Sequence, residues 1–248
     1  MTLLPKEKTM PKQSLFDYTI YIYGQEKIGK TTIASRFDNA IILATEPGHN
    51  ALSIFKVDID TWDKFLDVCL ELAEGKHDFS TVVIDTADNL WNLCRLHICE
   101  KHKIEHEADM PYGKGYAMIL NEFHRVLIKL SMLPYGLVLI SHAQVKEVQT
   151  RTGPYSKIIP SLPDKPRKLI LGMADIILFF DQEIGRDADG KQNIRRVIRT
   201  QPHPSYEAGD RTGRLPDVID LDYDAFVRAF TGKPAAEAKP KSTPKTSK

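Results

Sequence analysis

One short stretch near the start of the chain, IYGQEKIGKTTIA (residues 22–34), has the residue types and the spacing of a phosphate-binding loop. It fits the pattern G-x-x-x-x-G-K-[ST], with an apolar strand before it and a helical sequence after it. The glycines let backbone N–H groups approach phosphate oxygens, and the helix N-terminus adds its positive dipole. The predicted nucleotide-binding residues are Gly24, Gln25, Glu26, Lys27, Ile28, Gly29, Lys30, Thr31 and Thr32.

Four side chains carry the chemistry that this site needs. Lys30 supplies a positive charge to the β- and γ-phosphates, and the Thr31 hydroxyl is a ligand for Mg²⁺. Asp85 ends the apolar run TVVI and is expected to hold the magnesium shell through water. Glu46 ends another apolar strand, where it can orient or deprotonate the water that attacks the γ-phosphate. The predicted ligands are therefore ATP and Mg²⁺.

Two of these carboxylates also have plainer interpretations. Asp85 can be a turn or helix-cap residue, although Asp88 is better placed to cap the helix that follows. Glu46 can be a surface glutamate at the end of a strand.

Alternating apolar strands and amphipathic helices position these residues. We predict strands at 19–24, 40–46, 80–86, 135–144, 174–181 and 193–200, and helices at 29–37, 62–73, 89–103 and 116–130. This alternation indicates an α/β fold with a mainly parallel central sheet and helices on both faces. The last two strands are separated by a turn-rich segment, which favours an antiparallel C-terminal extension.

Composition limits the class of protein. The chain has 248 residues and a net charge of +1, so global charge does not argue for a nucleic-acid partner. We find no apolar run long enough to span a membrane and no signal peptide, so a cytoplasmic setting without a membrane partner is expected. The three cysteines show no metal-ligand spacing. We predict a loose arm at 1–14, a core at 15–231 and a disordered tail rich in Lys, Pro and Ala at 232–248.

The order of these elements resembles the RecA-like recombinase core. VVIDTADNL (82–90) resembles its second nucleotide motif, and residues 107–145 resemble the stretch with its first DNA-binding loop, long helix and sensor strand. MADIILFFD and NIRRVIRTQPHP resemble its closing strands. Together with the late motif SYEAGDRTGRLPDVI, the chain looks most similar to the phage RecA-like ATP-binding proteins of the Sak-type single-strand annealing group, over about residues 17–231.

The resemblance implies roles for residues at the ends of two strands. Glu46 would be the catalytic carboxylate. In RecA itself, a glutamine ends the sensor strand and couples the γ-phosphate to the DNA-binding loop, and the present sequence departs from that pattern. Here that strand ends in SHAQ, so either His142 or Gln144 would be the sensor, and an ordinary strand-end histidine is the alternative for His142.

A basic segment follows the sensor strand, from residue 145 to residue 168, and is predicted to be a long loop. Such loops are usually functional or disordered. Basic groups follow a phosphate backbone and an aromatic ring can stack on a base, which suits single-stranded DNA. The segment also resembles the second DNA-binding loop of recombinases, whereas a solvated loop or a lid are the alternatives. The predicted DNA contacts are Lys146, Arg151, Tyr155, Lys157, Lys165 and Arg167.

Two arginines follow the last core strands, in the motif GDRTGR. Arg211, preferred over Arg214, is predicted to reach a γ-phosphate in its own subunit or across a subunit interface and to neutralise charge in the transition state. A structural salt bridge is the alternative.

The function that these features favour is a DNA-stimulated ATPase that acts on single-stranded DNA in recombination. Its expected partners are single-stranded DNA, further copies of the chain and a single-strand-binding protein. The alternatives are a P-loop phosphotransferase acting on a small molecule and a regulatory nucleotide switch.

Overall fold

The apolar runs of the chain form strands and the stretches with helical periodicity form helices in the computed structural model, which describes residues 4–151, 153–186 and 192–232. The strands are β1 (Thr19–Gly24), β2 (Ala40–Ala44), β3 (Phe55–Asp58), β4 (Thr81–Asp85), β5 (Gly136–Thr150), β6 (Gly153–Pro160), β7 (Ile176–Arg186), β8 (Gln192–Arg199), β9 (Gly209–Asp210) and β10 (Val218–Asp220). The helices are α1 (Lys30–Ala34), α2 (Trp62–Glu74), α3 (Ala87–Lys101), α4 (Lys114–Ser131), α5 (Asp164–Met173) and α6 (Tyr223–Thr231).

The central sheet is mainly parallel. β3, β2, β4, β5, β1 and β7 lie side by side in that order and all run in the same direction. β8 pairs antiparallel with β7, and β10 pairs antiparallel with β8. The predicted parallel sheet with an antiparallel C-terminal extension is therefore confirmed.

Helices cover both faces of the sheet, as predicted. Alternate residues of the central strands point to opposite faces. On one face Ile84 and its neighbours pack in a core with Phe123 of α4, together with residues of α2, α3 and α5. On the other face Ile140 lies in a second core with Phe226 of α6 and residues of α1.

Helix α2 shows how the sequence encodes these elements. Thr61 precedes the helix and its hydroxyl accepts the N–H of Lys64 at 3.2 Å, which is an N-cap. The aromatic residues Trp62 and Phe65 turn towards the core and are buried. Gly75 ends the helix with a φ of 69°, a conformation that glycine adopts without strain.

The prediction of a loop over residues 145–168 is wrong. β5 continues past the sheet from Ala143 to Thr150, where it pairs with β6 in a projecting hairpin, and α5 follows. Gly153, with a φ of 119°, lies at its turn. Because much of this hairpin is exposed on both faces, polar residues occupy both faces and the sequence lacks the alternation that marks a half-buried strand.

Smaller differences concern the ends of the chain and short elements. The sequence reasoning missed β3, β9, β10 and α6. Helix α1 ends at Ala34 rather than near Phe37, whose ring packs against Phe16 and Phe226. Residues 4–14 contain no helix or strand, and the predicted tail from residue 233 onward lies outside the described residues. No described helix is both long and apolar enough to cross a membrane.

Candidate functional site

The predicted phosphate loop and the predicted carboxylates meet at one edge of the sheet. β1, β2, β4 and β5 are parallel, so their carboxyl ends lie together. A pocket of about 540 Å³ opens there. Its lining comprises Glu26, Lys27, Gly29, Lys30, Thr31, Thr32, Glu46, Pro47, Gly48, His49, Ala51, Leu52, Asp85 and His142.

The backbone of the loop requires its two glycines. A Cβ on Gly24 would lie 2.6 Å from the carbonyl oxygen of Phe180, so a side chain there would collide with β7. Gly29 precedes α1 with a φ of 117°, in the region that favours glycine. Ile28 between them is buried in the core and anchors the loop. The loop is therefore shaped as a phosphate cradle at the start of a helix, where backbone N–H groups attract anions.

Lys30 is the buried cation of the pocket. Its side chain amine donates to the carbonyl oxygens of Gly24 at 2.9 Å and Gln25 at 2.8 Å. Burial lowers the pKa of Lys30, whereas Asp85 and nearby carboxylates favour its charged form. An ammonium group has three donors, so one is left for a phosphate oxygen after these two bonds.

Thr31 and Asp85, the predicted metal pair, are in direct contact. The Thr31 hydroxyl donates to Oδ2 of Asp85 at 2.6 Å. Asp85 is buried, as the last residue of β4. A hydroxyl and a carboxylate are oxygen ligands of the kind that Mg²⁺ prefers, directly or through water. The donor set at this position therefore fits magnesium.

Glu46 is held by three side chains, two from the start of α3 and one from β5. It accepts hydrogen bonds from the Thr86 hydroxyl at 2.6 Å and from the Asn89 amide at 3.1 Å. Nε2 of His142 lies 3.3 Å from both carboxylate oxygens. The contact with His142 lowers the pKa of Glu46, and the contact with Glu46 raises the pKa of His142. Glu46 is therefore ionised at neutral pH and fixed in direction.

The two candidate sensors differ in position. His142 pairs with Gly24 in the sheet and lines the pocket. Gln144 lies two residues farther along β5 and donates to the carbonyl oxygen of Pro160 at 3.4 Å, within the hairpin. His142 is therefore the candidate that the fold brings to Glu46, and its role as a sensor stays a prediction.

The Glu46–His142 pair makes the stability of the fold depend on pH, and the direction of that dependence follows from the two pKa shifts. Since the pKa of His142 is raised above its ordinary 6.5, its stabilising contribution is fully present below that value and is lost as the pH rises through the raised pKa. At the acid end, the contribution of Glu46 is present above its ordinary pKa of 4.5 and is lost as the pH falls through its lowered pKa.

We therefore expect the difference in melting temperature between the wild type and His142→Ala to be largest between about pH 5 and 6.5 and to shrink towards about pH 9. Thermal unfolding without nucleotide across that range measures it. Gln144→Ala is the control and should differ from the wild type by an amount independent of pH. A constant difference for His142→Ala would contradict the coupling.

A polar chain connects the pocket to the base of the hairpin. The backbone N–H of His142 donates to Asp88 at 3.3 Å, and the Ser161 hydroxyl donates to the same carboxylate. The N–H of Ser161, which follows β6, donates to the carbonyl oxygen of His142 at 3.0 Å. Burial raises the pKa of Asp88. Asp88 is therefore not the cap of α3, which is Thr86, because its carboxylate is turned towards the hairpin.

The basic residues predicted to bind DNA fall into two groups. Lys146 lies 2.7 Å from Asp164, Lys157 lies 3.6 Å from Glu207, and the buried Arg167 lies 3.1 Å from Asp164 and 3.8 Å from Glu207. These ion pairs tie the hairpin to α5 and to the segment before β9. In contrast, Arg151 and Lys165 are exposed, and neither forms an ion pair with any described residue.

Tyr155, the predicted stacking residue, lies on β6 opposite Val148, and 37% of its surface is exposed. An aromatic ring that is partly exposed on a projecting hairpin can receive a nucleobase.

Arg211 and Arg214 lie at the opposite edge of the sheet. The Arg211 guanidinium donates to the carbonyl oxygen of Gly172 and lies 3.8 Å from Asp175, which in turn accepts the N–H of Thr19. Thr19 begins β1, so it lies about 17 Å from the phosphate loop at the other end of that strand. The prediction that either arginine reaches a γ-phosphate in its own subunit is therefore wrong. Contact across a subunit interface stays a prediction.

Sequence reasoning missed four residues of the site. His49 contacts Asp85, Thr86 and Asn89 hold Glu46, and Arg196 of β8 donates to the carbonyl oxygen of Ile28 at 3.2 Å. Thr86 carried a signal, because a threonine directly before a helix is a preferred N-cap. The other three contacts depend on long-range packing and left no pattern in the sequence.

The sequence of the chain is similar to known proteins. A sequence profile described as AAA domain matches residues 17–212. The chain is 25% identical over 187 residues to the SPbeta prophage-derived uncharacterized protein YorG of Bacillus subtilis (strain 168). The match covers 73% of this chain and 54% of that relative, so the chain spans about half of the relative's length.

Proposed function

This chain belongs to the AAA domain family, and on that premise we propose that it is an ATPase that acts on single-stranded DNA in phage-type recombination, by strand annealing or exchange. The observation that carries the proposal is the ionised carboxylate of Glu46, held by Thr86, Asn89 and His142 in the pocket of the phosphate loop. A carboxylate fixed in this way beside a phosphate loop can act as a general base towards a water molecule.

The residues of the pocket have different roles in the proposed hydrolysis. Lys30 neutralises charge on the terminal phosphates, and Glu46 takes the proton of the water that attacks the γ-phosphorus while the bond to the bridging oxygen breaks. A magnesium ion held through Thr31 and Asp85 would supply further charge neutralisation on the phosphate oxygens.

The hairpin of β5 and β6 is the DNA-binding element of this proposal. Arg151 at the end of the hairpin and Lys165 at the start of α5 beside it are free of ion pairs with described residues and can neutralise phosphates, and Tyr155 can stack on a base. The route from nucleotide to DNA runs through β5, because His142 contacts Glu46 at one end and the hairpin begins at the next residue. The prophage origin of the relative supports a role in phage DNA metabolism.

Further copies of the chain and a single-strand-binding protein are the proposed partners. Arg211 and Arg214 are partly exposed at the edge away from the pocket, so either can serve only a neighbouring subunit's nucleotide. Among the described residues the pocket lining contains no arginine, and Arg196 beside the loop donates to the carbonyl oxygen of Ile28, so the proposal assigns the transition-state charge to an arginine of a neighbouring subunit.

The test of the proposed function is the rate of ATP hydrolysis with and without single-stranded DNA. We expect DNA to stimulate the rate. Hydrolysis that instead requires a small phosphate acceptor would favour a phosphotransferase. Nucleotide binding without turnover under any condition would favour a regulatory switch.

The two groups of basic residues predict different effects on DNA binding. Replacing Arg151 and Lys165 together by glutamine should weaken binding and reduce the slope of log affinity against log salt by about 1.4, since each phosphate contact on a single strand contributes about 0.7. Fluorescence anisotropy with a labelled oligonucleotide over a salt series measures both. The matched control, Lys146→Gln with Lys157→Gln, removes charges that acids already neutralise and should leave the slope unchanged. An unchanged slope in the first variant would rule out the hairpin turn and the start of α5 as the DNA site.

A further inference from the structure

His49 is a buried side chain of the nucleotide pocket that the reaction described above does not use. It lies three residues after Glu46, in the segment between β2 and β3, and is 7% exposed. Its Nε2 lies 3.1 Å from Oδ2 of Asp85, the carboxylate at the end of β4. The contact therefore joins the segment that carries Glu46 to the carboxylate assigned to the metal.

The contact occupies one particular oxygen of Asp85. Oδ2 accepts the Thr31 hydroxyl at 2.6 Å and faces His49 Nε2 at 3.1 Å. A carboxylate oxygen has two lone-pair sites, so these two donors fill Oδ2. No described residue donates a hydrogen bond to Oδ1. The oxygen left for further donors is therefore Oδ1.

The ring of His49 has one polar contact among the described residues. Donation to the carboxylate requires the proton on Nε2, and in a neutral ring Nδ1 is then an acceptor. Nδ1 is buried and has no hydrogen-bond partner within the described part of the chain. A buried acceptor without a donor is unfavourable, so a residue chosen only for packing at this position would be apolar. The hydrogen bond to Asp85 is what distinguishes histidine here.

One short backbone segment carries both Glu46 and His49, the residue that contacts the Asp85 carboxylate. Gly48, with a φ of 127°, lies between Glu46 and His49 and adopts a conformation that other residues rarely tolerate. This turn lets Glu46 reach Thr86 while His49 reaches Asp85.

We propose that His49 is a positioning residue of the magnesium–nucleotide site, which with Thr31 fixes the Asp85 carboxylate so that Oδ1 is the oxygen available to the hydration shell of the metal. This role rests on the proposed function, because it presumes a magnesium-dependent nucleotide. Partners of this kind behind metal-binding groups typically change metal affinity by 10–100-fold when they are removed.

The experiment compares two amide side chains of different length, glutamine and asparagine, at position 49. Glutamine at position 49 places its amide nitrogen near the position of Nε2 and can still donate to Asp85, whereas the shorter asparagine cannot. Binding of a fluorescent, non-hydrolysable ATP analogue is titrated with Mg²⁺ for the wild type, His49→Asn and His49→Gln, and again in EDTA without metal. The proposal predicts that His49→Asn needs about 10–100 times more Mg²⁺ and that His49→Gln stays close to the wild type.

Binding in EDTA should be equal in all three proteins, because the backbone and Lys30 contacts to phosphate do not pass through His49. Equal Mg²⁺ requirements in the three proteins, or a loss as large in His49→Gln as in His49→Asn, would overturn the role of His49. A wild type whose nucleotide binding does not depend on Mg²⁺ would overturn the magnesium part of the proposed function and this role with it. Because both variants keep a polar side chain of similar size, each can be checked for wild-type thermal unfolding before titration.

Discussion

Replacing Glu46 by glutamine should lower the rate of ATP hydrolysis by at least about 100-fold and leave nucleotide affinity within about threefold of the wild type, as expected for the loss of a general base. The amide has the same size as the carboxylate and its oxygen can still accept from the Thr86 hydroxyl. It cannot take a proton from water, however. The chemical step is lost while the phosphate cradle is kept.

The experiment measures single-turnover hydrolysis together with equilibrium binding of a fluorescent nucleotide. Glu26→Gln is the matched control. Glu26 is an exposed carboxylate that lines the same pocket, and its side chain forms no hydrogen bond or ion pair with the other described residues. It should keep both rate and affinity. Wild-type turnover in Glu46→Gln would remove Glu46 from the mechanism, and a loss of binding would assign it to the nucleotide instead.

Replacing Lys30 by alanine should weaken nucleotide binding by about 100-fold or more and abolish turnover. A hydrogen bond to a charged group contributes about 1.5–3 kcal/mol, and about 1.4 kcal/mol corresponds to a tenfold change in affinity. The change also removes the cation that lies near Asp85 and Glu46, so the negative charge of the pocket is no longer balanced there. Both effects act against an anionic ligand.

Lys30→Ala has a second effect, which can be measured without nucleotide. The carbonyl oxygens of Gly24 and Gln25 lose their donor, so the loop is expected to loosen and the melting temperature to fall. Lys27→Ala is the control, since Lys27 is an exposed lysine of the same loop. It should change affinity far less. Unchanged binding and turnover in Lys30→Ala would show that the nucleotide site lies elsewhere.

The sequence predicted the elements of the site because each is local. The phosphate loop is contiguous, and its glycines have backbone conformations or close contacts that other residues do not fit. Glu46 and Asp85 follow apolar strands, and parallel strands bring such ends together. The class of fold and the position of the site therefore followed from hydrophobic patterning and one motif.

The projecting hairpin escaped prediction because a strand that leaves the sheet has little apolar surface to bury. Lys146 and Arg151 look alike in the sequence, yet among the described residues only Lys146 is paired with an acid, Asp164, which lies 18 residues away along the chain. A charge pattern does not reveal its partners, since these come from distant segments. The six residues predicted to contact DNA therefore differ in their surroundings, and their contact with DNA stays a prediction.

The sequence by itself determined the α/β fold and predicted a phosphate-binding loop at Lys30, because local backbone chemistry and hydrophobic periodicity require no distant partner. The tertiary structure decided which side chains lie together, His142 with Glu46 and His49 with Asp85. It also placed Arg211 at the far edge of the sheet. These pairings join residues between 36 and 96 positions apart. Their distances depend on strand order and register, which are properties of the whole packed sheet rather than of any segment.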